Sequence, residues 1–234
     1  MTKKKIIIAT IKTWNYNNSK FFITRNQEKY DVLLITSKSE LAYQEISKFN
    51  PDYIFFPHWS WIIPESIYTS FKCVVFHSTD LPYGKGGSPI QNLISQKKYD
   101  SMISAIKVDK EIDSGDVYLK EPISLYGSTV EEIFIRISNV IFEKMIPEII
   151  DNNLKPCPQK GNSVKFKRRK PEESKIDDMT KYSDFYDKIR MLDAEGYPKA
   201  FIELDDVVIE FSRAAMYSDY TLSDAKIYKK RSRK

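Results

Sequence analysis

The sequence has few cysteines and histidines, and its apolar runs are short. There are two cysteines, two histidines and seven glycines in 234 residues. Cys73 and Cys157 cannot make a disulfide framework or a zinc site, which favours a reducing compartment, and we predict a cytoplasmic protein. No apolar run approaches the roughly 18 residues of a membrane span, so no membrane contact is predicted.

A dinucleotide fingerprint is also missing. After the first apolar run, Lys5–Ala9, the chain reads Thr-Ile-Lys-Thr-Trp. A G-x-G-x-x-G turn would be needed there to hold the pyrophosphate of NAD or FAD. No group of residues has metal-ligand spacing, so we predict neither a nicotinamide nor a metal.

The net charge is +5, and basic residues are concentrated at the C-terminus. They are Lys229, Lys230, Arg231, Arg233 and Lys234. We interpret this tail first as a solvated terminus and second as a contact for an anionic partner. Apolar residues make up 41% and charged residues 29% of the chain, which is ordinary for a globular protein, and no nucleic-acid partner is predicted.

Short apolar runs alternate with helical patterns through about the first 100 residues. The predicted strands are Lys5–Ala9, Val32–Thr36, Tyr53–Phe56 and Cys73–Phe76. The predicted helices between them are Ser19–Arg25, Ser39–Phe49 and Pro64–Phe71. This alternation predicts an α/β fold with a Rossmann-like, mostly parallel sheet.

The second half of the chain predicts a long helix and a small additional unit. Apolar residues recur on one stripe over Thr129–Ile150, which is typical of a helix packed on a core. A polar, proline-containing connector follows, and then a helix at Asp184–Leu192 and a hairpin of Ala200–Leu204 with Val207–Ala214. We predict a catalytic domain over residues 1–155 and a small α+β subdomain over residues 156–234 that includes the basic tail.

One histidine ends an apolar strand-like run. His77 follows Cys73–Phe76 and precedes a Pro/Gly-rich loop. An imidazole can take a proton from an attacking amine near neutral pH. A second motif, Ile-Asp-Ser-Gly-Asp, places Asp113 and Asp116 in a turn between two apolar runs. A carboxylate that reached the imidazole would fix its tautomer and stabilise its cation. The alternatives are a structural histidine and turn-capping aspartates.

These two motifs, in this order, resemble those of the folate-dependent formyltransferases. There the first motif reads N-x-H-P-S-L-L-P-x-x-x-G-x-x-P and the second D-[TS]-G-D. This chain has Val75 in place of the Asn and Thr79-Asp80 in place of Ser-Leu. The resemblance implies that the missing amide would donate to the oxyanion of the tetrahedral intermediate, and loss of such a donor costs about 3 kcal/mol. The candidate substitutes are Ser78, Thr79, Asn92 and backbone N–H groups.

The C-terminal part resembles the sugar N-formyltransferases of this family. Phe166–Asp177 is similar to their R-K-P-E-D-S-x-I-D segment, and Tyr186–Phe201 to a segment that reads Y-N-x-I-R-A-L and then P-Y-P-G-A-F. The resemblance covers about residues 50 to 215. Four ordered motifs make chance agreement improbable.

The resemblance implies a loop for folate and a surface for the substrate, because glycines allow the backbone to approach a ligand closely. The implied folate-binding residues are Leu81, Pro82, Gly84, Lys85, Gly86, Gly87 and Asp116. The implied substrate-binding residues are Trp14, His58, Trp59, Lys167 and Arg169. Simpler alternatives are a plain turn for the glycines, solvation for the basic residues and core packing for the aromatic ones.

The implied activity is transfer of a formyl group from N10-formyltetrahydrofolate to the amine of a nucleotide-linked amino sugar, in glycan biosynthesis. The loop His77–Gln91 is most similar to enzymes of pseudaminic-acid-type pathways, which favours a UDP-linked 4-amino-4,6-dideoxy hexose as acceptor. Two alternatives stay open: a non-catalytic relative that binds folate or nucleotide, motivated by Val75, and a formyltransferase for another amine. The oligomeric state is also open, a dimer included.

Overall fold

The computed structural model describes residues 2–177 and 181–230. They form two compact units that are not contiguous in sequence. The first contains residues 2–86, 101–123 and 135–165, and the second contains 87–100, 124–134, 166–177 and 181–230. The predicted linear boundary at residue 155 differs from this division, because two segments of the N-terminal half group with the C-terminal part.

The first unit contains the Rossmann-like sheet. Its strands are β1 (Lys4–Ala9), β2 (Tyr30–Ile35), β3 (Tyr53–Phe56), β4 (Cys73–His77), β5 (Tyr83–Gly86), β6 (Asp100–Lys107), β7 (Val117–Ser124) and β8 (Val164–Phe166). Six of them form one sheet in the order β2-β1-β3-β4-β6-β7, and β5 pairs with β8. Strands β2, β1, β3 and β4 are parallel, whereas β4 and β6 are antiparallel. The predicted mostly parallel α/β fold is confirmed.

Helices cover this sheet and contribute to the second unit. The helices of the chain are α1 (Thr13–Asn26), α2 (Tyr43–Phe49), α3 (Glu65–Tyr68), α4 (Pro89–Ser95), α5 (Val130–Val140), α6 (Ile146–Asp151) and α7 (Tyr182–Arg190), with 3₁₀ turns at Lys38–Glu40 and Pro171–Ser174. Helix α1 begins well before the predicted Ser19. Two of its buried positions, Asn15 and Ser19, are polar, so apolar periodicity underestimates its length.

The predicted helix over Thr129–Ile150 is confirmed, with one interruption. A π-helical turn at Ile141–Met145 separates α5 from α6. Pro147 lies at the start of α6 and lacks the N–H that would continue the α-helical ladder. The predicted apolar stripe is nevertheless buried at five of its six positions, Ile133, Ile137, Ile141, Met145 and Ile149, and Val140 is partly buried.

The core of the first unit lies against the parallel strands. Ile7, Ile54 and Phe56 are buried together with Ile46 of α2 and Ile67 of α3. Strands of a parallel sheet are covered on both faces, which explains the uninterrupted apolar runs at Ile6–Ile8 and in β3. The sheet therefore provides a rigid base for the residues at its strand ends.

The second unit contains a three-stranded antiparallel sheet. Its strands are β9 (Ala200–Glu203), β10 (Val207–Met216) and β11 (Thr221–Lys229), in the order β11-β10-β9. The predicted hairpin of β9 and β10 is confirmed. Strand β11 was missed because most of its residues are polar and exposed, and Lys229 therefore ends a strand instead of starting a tail. The rest of that predicted tail, residues 231–234, lies outside the described residues.

In the described parts of the chain, no helix has the length and apolar character needed to cross a lipid bilayer. Residues 2–177 and 181–230 also bring together no set of three or more His, Cys, Asp or Glu side chains that could hold a metal ion. Both cysteines are free, with Cys73 buried and Cys157 exposed.

Candidate active site

Both histidines lie at the carboxyl edge of the parallel strands. His77 is the last residue of β4, and His58 follows β3. These strands are parallel neighbours, with Phe56 opposite Val75, so both side chains emerge where open α/β sheets bind ligands.

His58 is placed in an aromatic environment. Its ring meets that of Trp14 edge-on at 5.6 Å, and its backbone has a positive φ of 54°. Burial lowers the pKa of His58 to about 4, and the charge of Lys12 adds to this effect. The imidazole is therefore neutral near neutral pH and is a packing group more than a base.

The other two aromatic residues predicted to bind substrate also pack on the protein. Trp14 is buried in α1. Trp59 lies 5.9 Å from the ring of Phe56 and 4.9 Å from that of Trp61, edge-on in both cases. In the described part of the chain, the buried indole Nε1–H of Trp59 has no acceptor. For Trp59 a substrate contact stays a prediction, whereas for Trp14 the structure favours the core-packing alternative.

The two sequence motifs meet in space. Asp113 Oδ2 lies 3.5 Å from His77 Nδ1, and the two side chains are 14% and 10% exposed. Nε2 of His77 lies 2.8 Å from the carbonyl oxygen of Gly84. The predicted pairing of His77 with Asp113 therefore has a geometric basis.

Both ring nitrogens of His77 face hydrogen-bond acceptors. A carbonyl oxygen only accepts, so Nε2 donates to Gly84 in the tautomer that makes this bond. Nδ1 faces the Asp113 carboxylate. A proton on Nδ1 would make this contact an imidazolium–carboxylate pair or an N–H donor to the carboxylate. The geometry therefore places Asp113 where it can support a protonated imidazole, and it does not select the nitrogen that receives the proton.

Loop Tyr83–Gly86 and the turn around Asp113 hold each other in place. Gly86 N–H donates to Asp113 Oδ2 at 2.8 Å, and Lys85 Nζ donates to Ser114 Oγ at 3.0 Å. Gly84 and Gly86 have φ values of 79° and 105°, in the left-handed region that favours glycine. Lys85 therefore supports the site's loop, and the two glycines are required by the backbone itself.

Gln159, which no sequence motif indicates, also fixes this turn. Its Nε2 donates to the carbonyl oxygens of Asp113 and Gly115, both at 2.9 Å, while its buried Oε1 has no partner among the residues that the structure describes. The amide orientation follows from these contacts, because the reversed amide would place Oε1 against two carbonyl oxygens. A glutamine in a connector carries no motif signal, and only its contacts identify its role.

Two of the three predicted oxyanion donors are committed elsewhere. Asn92 lies in the second unit, where its Nδ2 donates to the carbonyl oxygens of Gly87, Ser88 and Lys167. Thr79 is fully buried and its hydroxyl donates to the carbonyl oxygen of Gly84. Both side chains thus already contact loop backbone, and their role as oxyanion donors stays a prediction. Ser78 is partly buried directly after His77 and stays a candidate.

Several predicted folate-binding residues have structural roles. Leu81 is fully buried and Pro82 is buried, so their side chains belong to the core. Gly87 lies in the second unit, and a Cβ there would come within 2.6 Å of Arg168 Cβ, so chain packing requires this glycine. For Asp116, whose carbonyl oxygen accepts from Lys107 N–H, folate binding stays a prediction.

Comparisons with known proteins identify the family of this chain. The family model of the methionyl-tRNA formyltransferase C-terminal domain matches residues 171–228. The solved structure of methionyl-tRNA formyltransferase from Clostridium thermocellum is 49% identical and covers 97% of this chain and 100% of its own, with a TM-score of 0.94. The chain therefore belongs to the formyltransferase family.

Two further relatives show that the family match does not identify the acceptor. Methionyl-tRNA formyltransferase of Rickettsia felis is 27% identical over 184 residues, which are 76% of this chain and 60% of that protein. This chain thus spans about 60% of the length of that curated relative. A sugar N-formyltransferase from a Shewanella species has 15% identity and a TM-score of 0.68, covering 92% of this chain and 99% of its own. The fold is thus shared by proteins named for different acceptors.

Proposed function

We propose that this protein is an N-formyltransferase that moves a formyl group from N10-formyltetrahydrofolate to a primary amine. The observation that carries the proposal is the contact of His77 with Asp113 at the carboxyl edge of the sheet. The two free cysteines are consistent with the predicted cytoplasmic location.

The residues around the pair fit a folate. Oε1 of Gln159 is a buried acceptor without a partner, and a pteridine ring offers N–H donors. Gly84 and Gly86 have no side chain to obstruct a planar ring. When bound, the folate supplies the activated formyl group and an amine leaving group.

His77 and Asp113 handle the proton of the acceptor. As the acceptor nitrogen bonds to the formyl carbon, its proton passes to the imidazole of His77, and the bond between the formyl carbon and N10 breaks. The imidazolium is stabilised by Asp113, and His77 can then deliver the proton to the departing N10. Ser78 and loop N–H groups are the candidates that stabilise the oxyanion in place of the amide absent at Val75.

We propose the amine of methionyl-tRNA as the first acceptor to test. The family model that matches residues 171–228 and the 49% identical structure are both named for it. The same segment was interpreted from the sequence as similar to sugar N-formyltransferases. The nucleotide-linked amino sugar, in its UDP-linked 4-amino form, is therefore the second candidate.

Separate transfer assays with the two acceptors test this function. The chain is incubated with N10-formyltetrahydrofolate and either methionyl-tRNA or a UDP-linked 4-amino-4,6-dideoxy hexose, and products are read by mass. A gain of one formyl group on either acceptor identifies the substrate class. Folate binding without transfer to these or a panel of small primary amines would support the non-catalytic alternative and reject the proposal.

A further inference from the structure

Two cations of the second unit converge on one backbone oxygen. Arg169 Nη2 and Lys188 Nζ each donate to the carbonyl oxygen of Glu173 at 2.5 Å. A carbonyl carries no net charge, so this contact by itself neutralises neither cation. Burial and the neighbouring Arg169 charge lower the pKa of Lys188, and the charges of the Glu173 and Asp177 carboxylates act against this shift.

Arg169 also has a buried donor to spare. Within residues 2–177 and 181–230, its buried Nε–H has no acceptor. Nε and Nη2 share one edge of the planar guanidinium, the edge that binds carboxylate or phosphate oxygens in pairs. The nearby acidic groups are engaged, since the Glu173 carboxylate accepts from Lys170 N–H at 2.5 Å and Asp177 lies 3.2 Å from Lys175 Nζ.

Both cations come from fixed parts of the second unit. Arg169 N–H donates to Ser88 Oγ at 3.2 Å, and the carbonyl of Lys167 accepts from Asn92 at 3.1 Å. Lys188 lies within helix α7. Donors held in place before a ligand arrives lose little freedom on binding, so this arrangement is suited to capture a ligand.

We propose that Arg169 and Lys188 form a binding site for a phosphate group. A phosphate has enough oxygens to accept from Nε, Nη2 and Nζ together, whereas a carboxylate has two. Its charge would also neutralise both cations. The assignment of this phosphate to the amine acceptor rests on the proposed function, because a tRNA and a nucleotide-linked sugar both carry phosphates.

Calorimetric titration of inorganic phosphate into the full chain tests the site. Arg169→Gln and Lys188→Gln each remove one charge, and Lys181→Gln, at an exposed lysine just before α7, is the matched control. We expect each site variant to weaken phosphate binding by at least about tenfold, the effect of losing a charge-assisted hydrogen bond, and the control to bind as the wild type does.

The proposal is overturned if the wild type does not bind phosphate, or if both site variants bind it unchanged. It is equally overturned if the variants lower the thermal midpoint and phosphate raises that midpoint equally in all proteins, because the cations would then only fasten the 171–174 turn. In the transfer assay, Arg169→Gln and Lys188→Gln should each raise the KM for the acceptor and leave kcat unchanged. The titration needs no transfer activity, so failure of the proposed function is a separate result.

Discussion

Each unit of the protein holds an aspartate, mostly shielded from solvent, beside a side chain with basic nitrogen atoms. That side chain is an arginine in the second unit and a histidine in the first. In the second unit Asp187 lies 2.8 Å from Arg190 Nε and also accepts from Lys97 Nζ at 2.7 Å and Tyr99 OH at 2.6 Å. In the first unit Asp113 lies 3.5 Å from His77 and accepts one bond, from Gly86 N–H. The Asp187 carboxylate in the second unit is saturated with hydrogen bonds, whereas the Asp113 carboxylate in the first unit is not.

The difference separates a structural pair from a reactive one. Arg190 is enclosed between the rings of Tyr99 and Tyr186, at 5.4 and 5.2 Å, and donates to the carbonyl of Leu125. A guanidinium cannot give up its proton in a protein, so this pair can only hold the unit together. An imidazole can exchange its proton, and a contact longer than a direct hydrogen bond leaves room for that exchange.

The largest expected effect is on catalysis by His77→Asn. We expect kcat at saturating substrates to fall by about 10² to 10⁴, the range that general base catalysis contributes. The circular dichroism spectrum should be unchanged, because the substitution removes one side-chain contact at the end of β4 and leaves the backbone hydrogen bonds of the sheet in place. Turnover near that of the wild type would exclude His77 from the mechanism.

The second prediction contrasts the two aspartates. Asp187→Asn should lower the free energy of unfolding by about 3 to 5 kcal/mol, because it leaves the buried Arg190 charge uncompensated. Asp113→Asn should lower it by only about 1 kcal/mol, while reducing kcat through loss of the carboxylate that supports the imidazolium. Urea denaturation of both variants measures these losses. Equal losses of stability would contradict the distinction between a structural pair at Asp187 and a reactive pair at Asp113.

The third prediction sharpens the account of how Asp113 is positioned. Gln159→Leu removes both bonds to the Asp113 turn, and we expect kcat to fall about tenfold, or about 1.4 kcal/mol in barrier height. Because the substitution also removes the Oε1 acceptor proposed to bind the folate, the KM for the folate should rise as well. Gln27→Leu, at an exposed glutamine after α1, is the control. A change in KM alone would assign Gln159 to ligand binding instead.

The fourth prediction concerns His58, the histidine outside the pair. Its pKa is about 4 in the folded chain and about 6.5 when unfolded, so protonation favours the unfolded state. The stability that depends on a neutral His58 is present above pH 6.5 and is lost progressively as the pH falls toward 4. Asparagine tolerates the positive φ of this position, so the His58→Asn variant should fold. Its thermal midpoint should change less with pH, between about pH 6.5 and 5, than that of the wild type. An unchanged slope would show that His58 titrates normally.

The smallest catalytic effect is expected at position 75. Val75 packs against the core cluster beneath the site, so the Val75→Asn amide would meet apolar neighbours. We expect no gain in kcat and a loss of about 1 to 3 kcal/mol in stability, the cost of burying an unpaired amide. A large gain in turnover would show that the site lacks an oxyanion donor.

The sequence predicted correctly those strands whose residues form an uninterrupted apolar run. The runs Tyr53–Phe56 and Cys73–Phe76 are apolar because both faces of their strands are covered, and both were placed within one residue. Strand β11 was missed because an exposed strand has little apolar pattern to read. The short strand β5 was hidden in a loop rich in glycine, where propensity argues against a strand.

By itself the sequence determined the family resemblance, the parallel sheet and the identity of the pair His77 and Asp113, because motif chemistry and hydrophobic periodicity are local properties. Only the tertiary structure decided that the His77 ring contacts the Gly84 carbonyl, that Gln159 fixes the Asp113 turn, and that Thr79 and Asn92 are already engaged. It also grouped residues 87–100 and 124–134 with the C-terminal unit. These facts depend on which backbone oxygens come within hydrogen-bonding distance, and that follows from packing between segments far apart in the chain.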